Sequence, residues 1–373
     1  MPYLPALDGV RAIAVLLVLF SHFPYVASSS FSHSVWQVGQ TLQLGYLGVN
    51  LFFVLSGFLI TRILLSERYG ATGEIDFRNF FLKRVLRIFP IYYLSIGFFI
   101  LAFNWRGDDL FGLLTYTFNY YKPFQPEPIA LEHAWSLSVE EQFYLLWPML
   151  ISVLPFRWGK RTTTFIIPAL SVLTALGIST FVASELAARI IYMSTPTQMM
   201  ALSLGASLAF RERSGIQLEA GRSFLVFGAG VAVLVLDSLG RAIHVVPAGG
   251  FYWSVALLGY AVICFGAVAF VVSLDNPIVD RLKKLLSLEP VRYVGRISYG
   301  LYLYHYVILF LFDLAPHETV STGGSFLRVA SAVLMTFLTA HLSYRYIECP
   351  ILRVRNKIRA GRNLAPPVLI GRA

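Results

Sequence analysis

The chain has 373 residues, of which 57% are hydrophobic and only 13% charged, and its formal net charge is +10. A soluble domain of this size carries about 25% charged residues, so the composition excludes an ordinary soluble enzyme and points to a polytopic membrane protein. Its two cysteines, Cys264 and Cys349, exclude a disulfide framework and a cysteine-based metal centre.

Apolar runs long enough to cross a bilayer occur at roughly 9–27, 46–66, 87–104, 138–155, 163–183, 190–210, 223–240, 251–273, 297–315 and 325–346. The first, RAIAVLLVLFSH from Arg11 to His22, has the outline of a signal peptide. It is long for one and many spans follow, so it reads as a retained span. Eleven helical steps of 100° bring Arg11 and His22 to one face, roughly 16 Å apart along the axis. That places an imidazole near mid-depth below a surface charge.

The third span is entered through FLKRVLRIFP, where Arg84 and Arg87 are neighbours on a helix face and Lys83 points elsewhere. A loop at 105–137 follows, with Pro123, Pro126 and Pro128. The fourth span opens with HAWSLSVEEQFYLLWP. Ser136, Glu140 and Tyr144 recur there at i, i+4, i+8, and Glu141 is turned about 100° away. In the seventh and eighth runs only Cys264 draws notice, as a small core residue. The ninth holds SYGLYLYH, where Ser298, Tyr302 and His305 share a face with Tyr299 beside them.

All but five of the 30 lysines and arginines fall on one side of this arrangement, the exceptions being Arg106, Lys122, Arg189, Arg241 and Arg328. Positive residues stay in the cytoplasm. The reading is therefore an all-α membrane protein of about ten transmembrane helices with both termini cytoplasmic, in the plasma (inner) membrane. Residues 1–352 form one membrane domain, and 353–373 form a basic tail that is disordered or lies on the anionic leaflet. The basic excess is topology, so no nucleic-acid partner is expected.

Each polar cluster has a plain reading as well. Arg11 and the Arg84–Arg87 pair serve as interfacial anchors, Ser136 or Ser138 caps a helix with Glu140 or Glu141, and the histidines are satisfied in a core. Ionisable groups at membrane depth are costly, however, and by default mark function. Two guanidiniums on one face suit phosphate. His22, Glu140 and His305 lack the spacing of a zinc motif, and no metal is expected. No GxSxG elbow supplies a serine nucleophile.

The segments LDGVRAIAVLLVLFSH, LGVNLFFVLSGFLI, KRVLRIFP, HAWSLSVEEQFYLLWP, VGRISYGLYLYH and SYRYIECPIL, in this order from Leu7 to about Leu352, resemble the motifs of the membrane acyltransferase-3 family. That family includes O-acetyltransferases of O-antigen, exopolysaccharide, nodulation factors and macrolides. Two positions depart from its pattern: Ala12 replaces a common glycine, and Gln198 stands where many members have arginine. Many members also carry an extracellular esterase-like domain, and none is expected within these residues.

The resemblance implies transfer of an acyl group, commonly acetyl, from cytoplasmic acyl-CoA to a hydroxyl of a carbohydrate or small-molecule acceptor at the lipid membrane. Arg11, Arg84 and Arg87 would bind the donor. His22 would be the general base, Glu140 would orient it or meet the acceptor, and Tyr302 and His305 would donate to the oxyanion. Trp135, Ser136, Glu141 and Tyr299 would line the substrate path, and Glu348 completes the last motif. Direct transfer is expected rather than an acyl-enzyme. The competing class is a transporter or flippase of an anionic or acylated substrate, which would use the same buried charges as a pathway.

Overall fold

The computed structural model describes residues 3–353 except 24, 27–36, 72, 104–106, 108, 126–128, 130, 217, 243–249, 274–275, 315–318 and 321–323. The expected tail beyond 353, Arg106, Pro126, Pro128 and the Arg241 side chain lie outside the described residues. Nearly all the rest is helical. Among the described residues, strand occurs at Tyr25–Val26 and Thr319–Val320, which pair in parallel.

The main helices run α1 Pro5–His22, α2 Leu44–Arg68, α3 Phe77–Phe103, α4 Ala134–Val153, α5 Phe156–Phe181, α6 Ser184–Met193 and α7 Thr195–Arg213. They continue as α8 Ala220–Ala242, α9 Gly250–Val272, α10 Pro277–Leu286, α11 Glu289–Arg296, α12 Ser298–Leu311 and α13 Gly324–Ser343. Seven of these regions are long and apolar enough to cross a membrane: α1, α2, α3, α5, α8, α9, and the stretch Phe326–Arg353 that contains most of α13.

The other three expected spans fall short for identifiable reasons. α12 is apolar but only 14 residues long. α4 has 20 residues, yet Glu140, Glu141 and Gln142 interrupt its apolar face. The run at 190–210 is two helices, the 10-residue α6 and the 19-residue α7, whose ends carry the polar stretches Thr195–Gln198 and Arg211–Arg213. Ser194 is extended between them and Pro196 stands in the first turn of α7, a position that proline tolerates.

α1 also departs from expectation, starting at Pro5 and ending on His22 rather than continuing to 27. Phe23 precedes Pro24 and is extended (φ −67°, ψ 133°), as the clash with a following proline ring requires. His22 is therefore a helix terminus, with no further turn above it.

Glycines set how closely the central helices approach. A Cβ on Gly57 of α2 would lie 1.9 Å from the Leu202 carbonyl oxygen, and one on Gly205 of α7 would lie 2.0 Å from that of Val54. The two helices thus cross backbone against backbone, the small-residue packing common between membrane helices. The opposite end of α1 is clamped in the same way, because a Cβ on Gly295 of α11 would meet the Asp8 carbonyl oxygen at 1.9 Å. An ion pair between Arg62 and Glu212 at 2.7 Å ties α2 to α7.

Candidate active site

Five helices, α1 to α4 and α12, enclose a cavity of about 230 Å³. α1 contributes Arg11; α3 contributes Lys83, Arg84 and Arg87; α4 contributes Ser136, Glu140 and Tyr144. Ser298, Tyr299 and Tyr302 close it from α12. The helical period of α4 explains why every fourth residue faces in. The Glu140 carboxylate accepts from Ser56 Oγ at 2.5 Å, and that hydroxyl in turn accepts from Tyr144 at 3.1 Å.

Four cations share this space with one carboxylate. Arg11 lies 3.5 Å from Asp8. The Arg84 guanidinium sits 3.7 Å over the Phe80 ring and 5.3 Å from that of Tyr144. It donates to the Phe80 carbonyl, and its Nε is buried without a hydrogen-bond partner among the described residues. An orphaned buried donor on a planar fork is a ready site for an oxyanion.

His22 lines a second cavity, of about 270 Å³, with Gln43, Tyr46, Arg189, Tyr192 and Trp253. Its Nδ1 is 3.2 Å from His305 Nε2, and His305 Nδ1 is 2.6 Å from the Tyr302 carbonyl oxygen. A carbonyl only accepts, so His305 Nδ1 carries a proton, and neutral His305 offers a lone pair at Nε2. His22 must then donate from Nδ1. The lone pair of neutral His22 is left on Nε2, the nitrogen that can act as a base.

Residues 4–345 match the sequence profile of an acyltransferase domain, Acyl_transf_3. The chain belongs to the acyltransferase-3 family. It is 29% identical to a peptidoglycan O-acetyltransferase, OatA, of Listeria monocytogenes and 32% identical to the O-acetyltransferase OatA of Staphylococcus aureus. It is also 30% identical to a putative peptidoglycan O-acetyltransferase, YrhL, of Bacillus subtilis. Each alignment covers 94% of this chain and 55–57% of the relative, so the chain spans about half the length of the relatives it matches. No solved structure matches it.

The family motifs meet at these two cavities, with several departures from expectation. Glu140 and His22 line different cavities, and Glu140 bonds Ser56 while His22 contacts His305. His305 is the group at His22 Nδ1. With one nitrogen on the Tyr302 carbonyl and the other on His22, neutral His305 has no N–H left for an oxyanion. Tyr302, in the wall of the first cavity, bonds Ser136 Oγ at 2.6 Å and donates to the His133 carbonyl at 3.1 Å.

Two expected lining residues line neither cavity. Trp135 packs against Phe53 and Tyr192, and Glu141 is carried off the Glu140 stripe by its 100° offset. Lys83 does the reverse: its long stem reaches the first cavity after all. Gln198 donates to the Tyr46 hydroxyl at 3.0 Å and to the Tyr192 carbonyl at 2.7 Å, bracing the α6–α7 break.

His133, which the sequence does not mark as a site residue, lies beside His305. Its ring stacks on Tyr306 with centroids 4.9 Å apart and lies 4.8 Å from His305. Neither of its buried nitrogens has a hydrogen-bond partner among the described residues. It opens the motif HAWS, but nothing in its spacing relates it to the stripe of Ser136, Glu140 and Tyr144.

Proposed function

We propose that the protein is an integral-membrane O-acyltransferase that moves an acyl group, commonly acetyl, from cytoplasmic acyl-CoA to a hydroxyl of a carbohydrate presented from the other face. The observation that carries this is the contact between His22 and His305. One residue of the pair lines the outer cavity, and the other is bonded to the Tyr302 backbone at the end of the arginine-lined one. The names of the relatives, O-acetyltransferases and in two cases of peptidoglycan, support the reaction and suggest a cell-wall glycan as acceptor.

In this reading α4, α7 and α12 join the seven longer regions as membrane spans, making ten. Both termini and the Arg84–Arg87 pair lie in the cytoplasm, and the protein resides in the plasma membrane. Arg11, Arg84, Arg87 and Lys83 hold the phosphates of acyl-CoA, a substrate, and the thioester arm runs toward Tyr302. His22 Nε2 takes the proton of the acceptor hydroxyl as its oxygen attacks the thioester carbonyl. Tyr302 turns its hydroxyl to the developing oxyanion. Collapse of the adduct breaks the C–S bond, and the thiolate leaves with the proton held by His22. No covalent enzyme intermediate is needed, because the base and the donor-binding end are adjacent.

Membrane vesicles given radiolabelled acetyl-CoA and a glycan acceptor test this directly. The wild type labels the glycan, and a stably inserted His22→Ala protein does not. Full transfer by that variant would remove His22 from the role. Movement of a substrate across the membrane with no acylation would favour the transporter class instead.

A further inference from the structure

We infer that the His22 cavity selects a sugar carrying a negative charge, which Arg189 reads. This rests on the acceptor reading above and names the acceptor's class. Arg189, on α6, projects into that cavity beside Tyr46, Tyr192 and Trp253. The three rings form one cluster, with centroids 4.8 Å apart for Tyr46 and Tyr192, 5.3 Å for Tyr46 and Trp253, and 5.0 Å for Tyr192 and Trp253. Three aromatic residues share this wall with the polar groups of Gln40, Gln43, His22 and Arg189, a mixture that suits the C–H surface and the hydroxyls of a sugar.

The charge is the discriminating feature. Arg189 is one of only five cations on the cation-poor side of the chain. Of the other four, Lys122 pairs with Glu132 at 3.6 Å and Arg328 with Asp313 at 3.5 Å, and the side chains of Arg106 and Arg241 lie outside the described residues. Arg189 has no ion-pair partner among the described residues, and its Nε is buried without a hydrogen bond. A guanidinium kept in a partly buried cavity without a carboxylate of its own has its counter-charge supplied from outside. Its fork fits a carboxylate or a phosphoryl group. Because His22 lines the same cavity, the anion and the hydroxyl to be acylated belong to one sugar or to adjacent units.

Calorimetry on the full chain in neutral-lipid nanodiscs, without acyl-CoA, tests this with three ligands: a glucose disaccharide, its glucuronic acid counterpart and its 6-phosphate. At least one anionic sugar is expected to bind about tenfold or more tightly than the neutral one, the scale of a charge-assisted pair, and the two anionic arms tell carboxylate from phosphoryl. In Arg189→Gln the preference disappears, and in Arg189→Lys it is reduced. Equal binding of all three sugars by the wild type, no binding of any, or a preference that survives in Arg189→Gln would overturn the inference. The first two outcomes need no variant to fold. Binding is read apart from turnover, so failure of the acyl-transfer reading and failure of this one are separable.

Discussion

The two cavities, linked through the contacts of His305 with His22 and with the Tyr302 backbone, are built in opposite ways. The arginine-lined cavity takes its groups from the continuous faces of α3 and α4, where residues three and four apart deliver Arg84 with Arg87 and Ser136 with Glu140 and Tyr144. The His22 cavity is assembled where the chain is interrupted, at the end of α1 before Pro24 and near the break at Ser194. Its wall mixes aromatic and polar residues, and His22 is held by His305 from a helix far along the chain. In the proposed reaction the periodic, cationic half holds the donor, and the half made of helix ends holds the acceptor and the base.

That division can be broken by substitution. The largest effect is expected for His22→Ala. Loss of a general base costs about 10²–10⁴-fold, and it should fall on kcat for acetyl transfer with the KM for acetyl-CoA unchanged. His305→Ala should lower kcat by about 10²-fold, because an imidazole loses rate when the partner that sets its tautomer is removed. His305→Gln should recover part of this, since its carboxamide oxygen can accept from His22 Nδ1. A purely structural His305 would show no such rescue.

Arg84→Ala should act in the opposite half, raising the KM for acetyl-CoA about tenfold with little change in kcat. Arg84→Lys should fail to restore it, because an ammonium lacks the planar fork. A large fall in kcat for either Arg84 variant would mean that the two halves are not separate. The smallest catalytic effect is expected for Gly205→Ala. Its new methyl would press on the Val54 carbonyl and cost about 1–3 kcal/mol of stability, visible as a lower Tm, while the folded fraction keeps its kinetic constants.

The same contrast governs what could be read from the sequence. Positions related by helical period were legible: α4 presents Ser136, Glu140 and Tyr144 to one cavity, and Arg84 and Arg87 share another wall of it. Arg11 and His22 share α1, although the helix stops at His22 where a longer span was expected. The seven longest apolar regions were legible from hydropathy alone, whereas the polar residues of α4, the Ser194 break and the brevity of α12 blurred the remaining three.

Partnerships between helices were not legible. Nothing in the spacing of Glu140 tells that it bonds Ser56 of α2 while His22 turns to His305, nor that His133 lies within ring contact of both His305 and Tyr306. Like the close approaches at Gly57, Gly205 and Gly295, they emerge only when the helices are packed.

The claim that the two substrates enter from opposite faces is tested most directly in sealed vesicles of defined orientation, with membrane-impermeant acetyl-CoA on one side and a soluble glycan on the other. Transfer is predicted when acetyl-CoA faces the Arg84–Arg87 side and the glycan faces the His22 cavity, and it should vanish when the two are exchanged. Transfer that requires donor and acceptor on the same side would contradict the account.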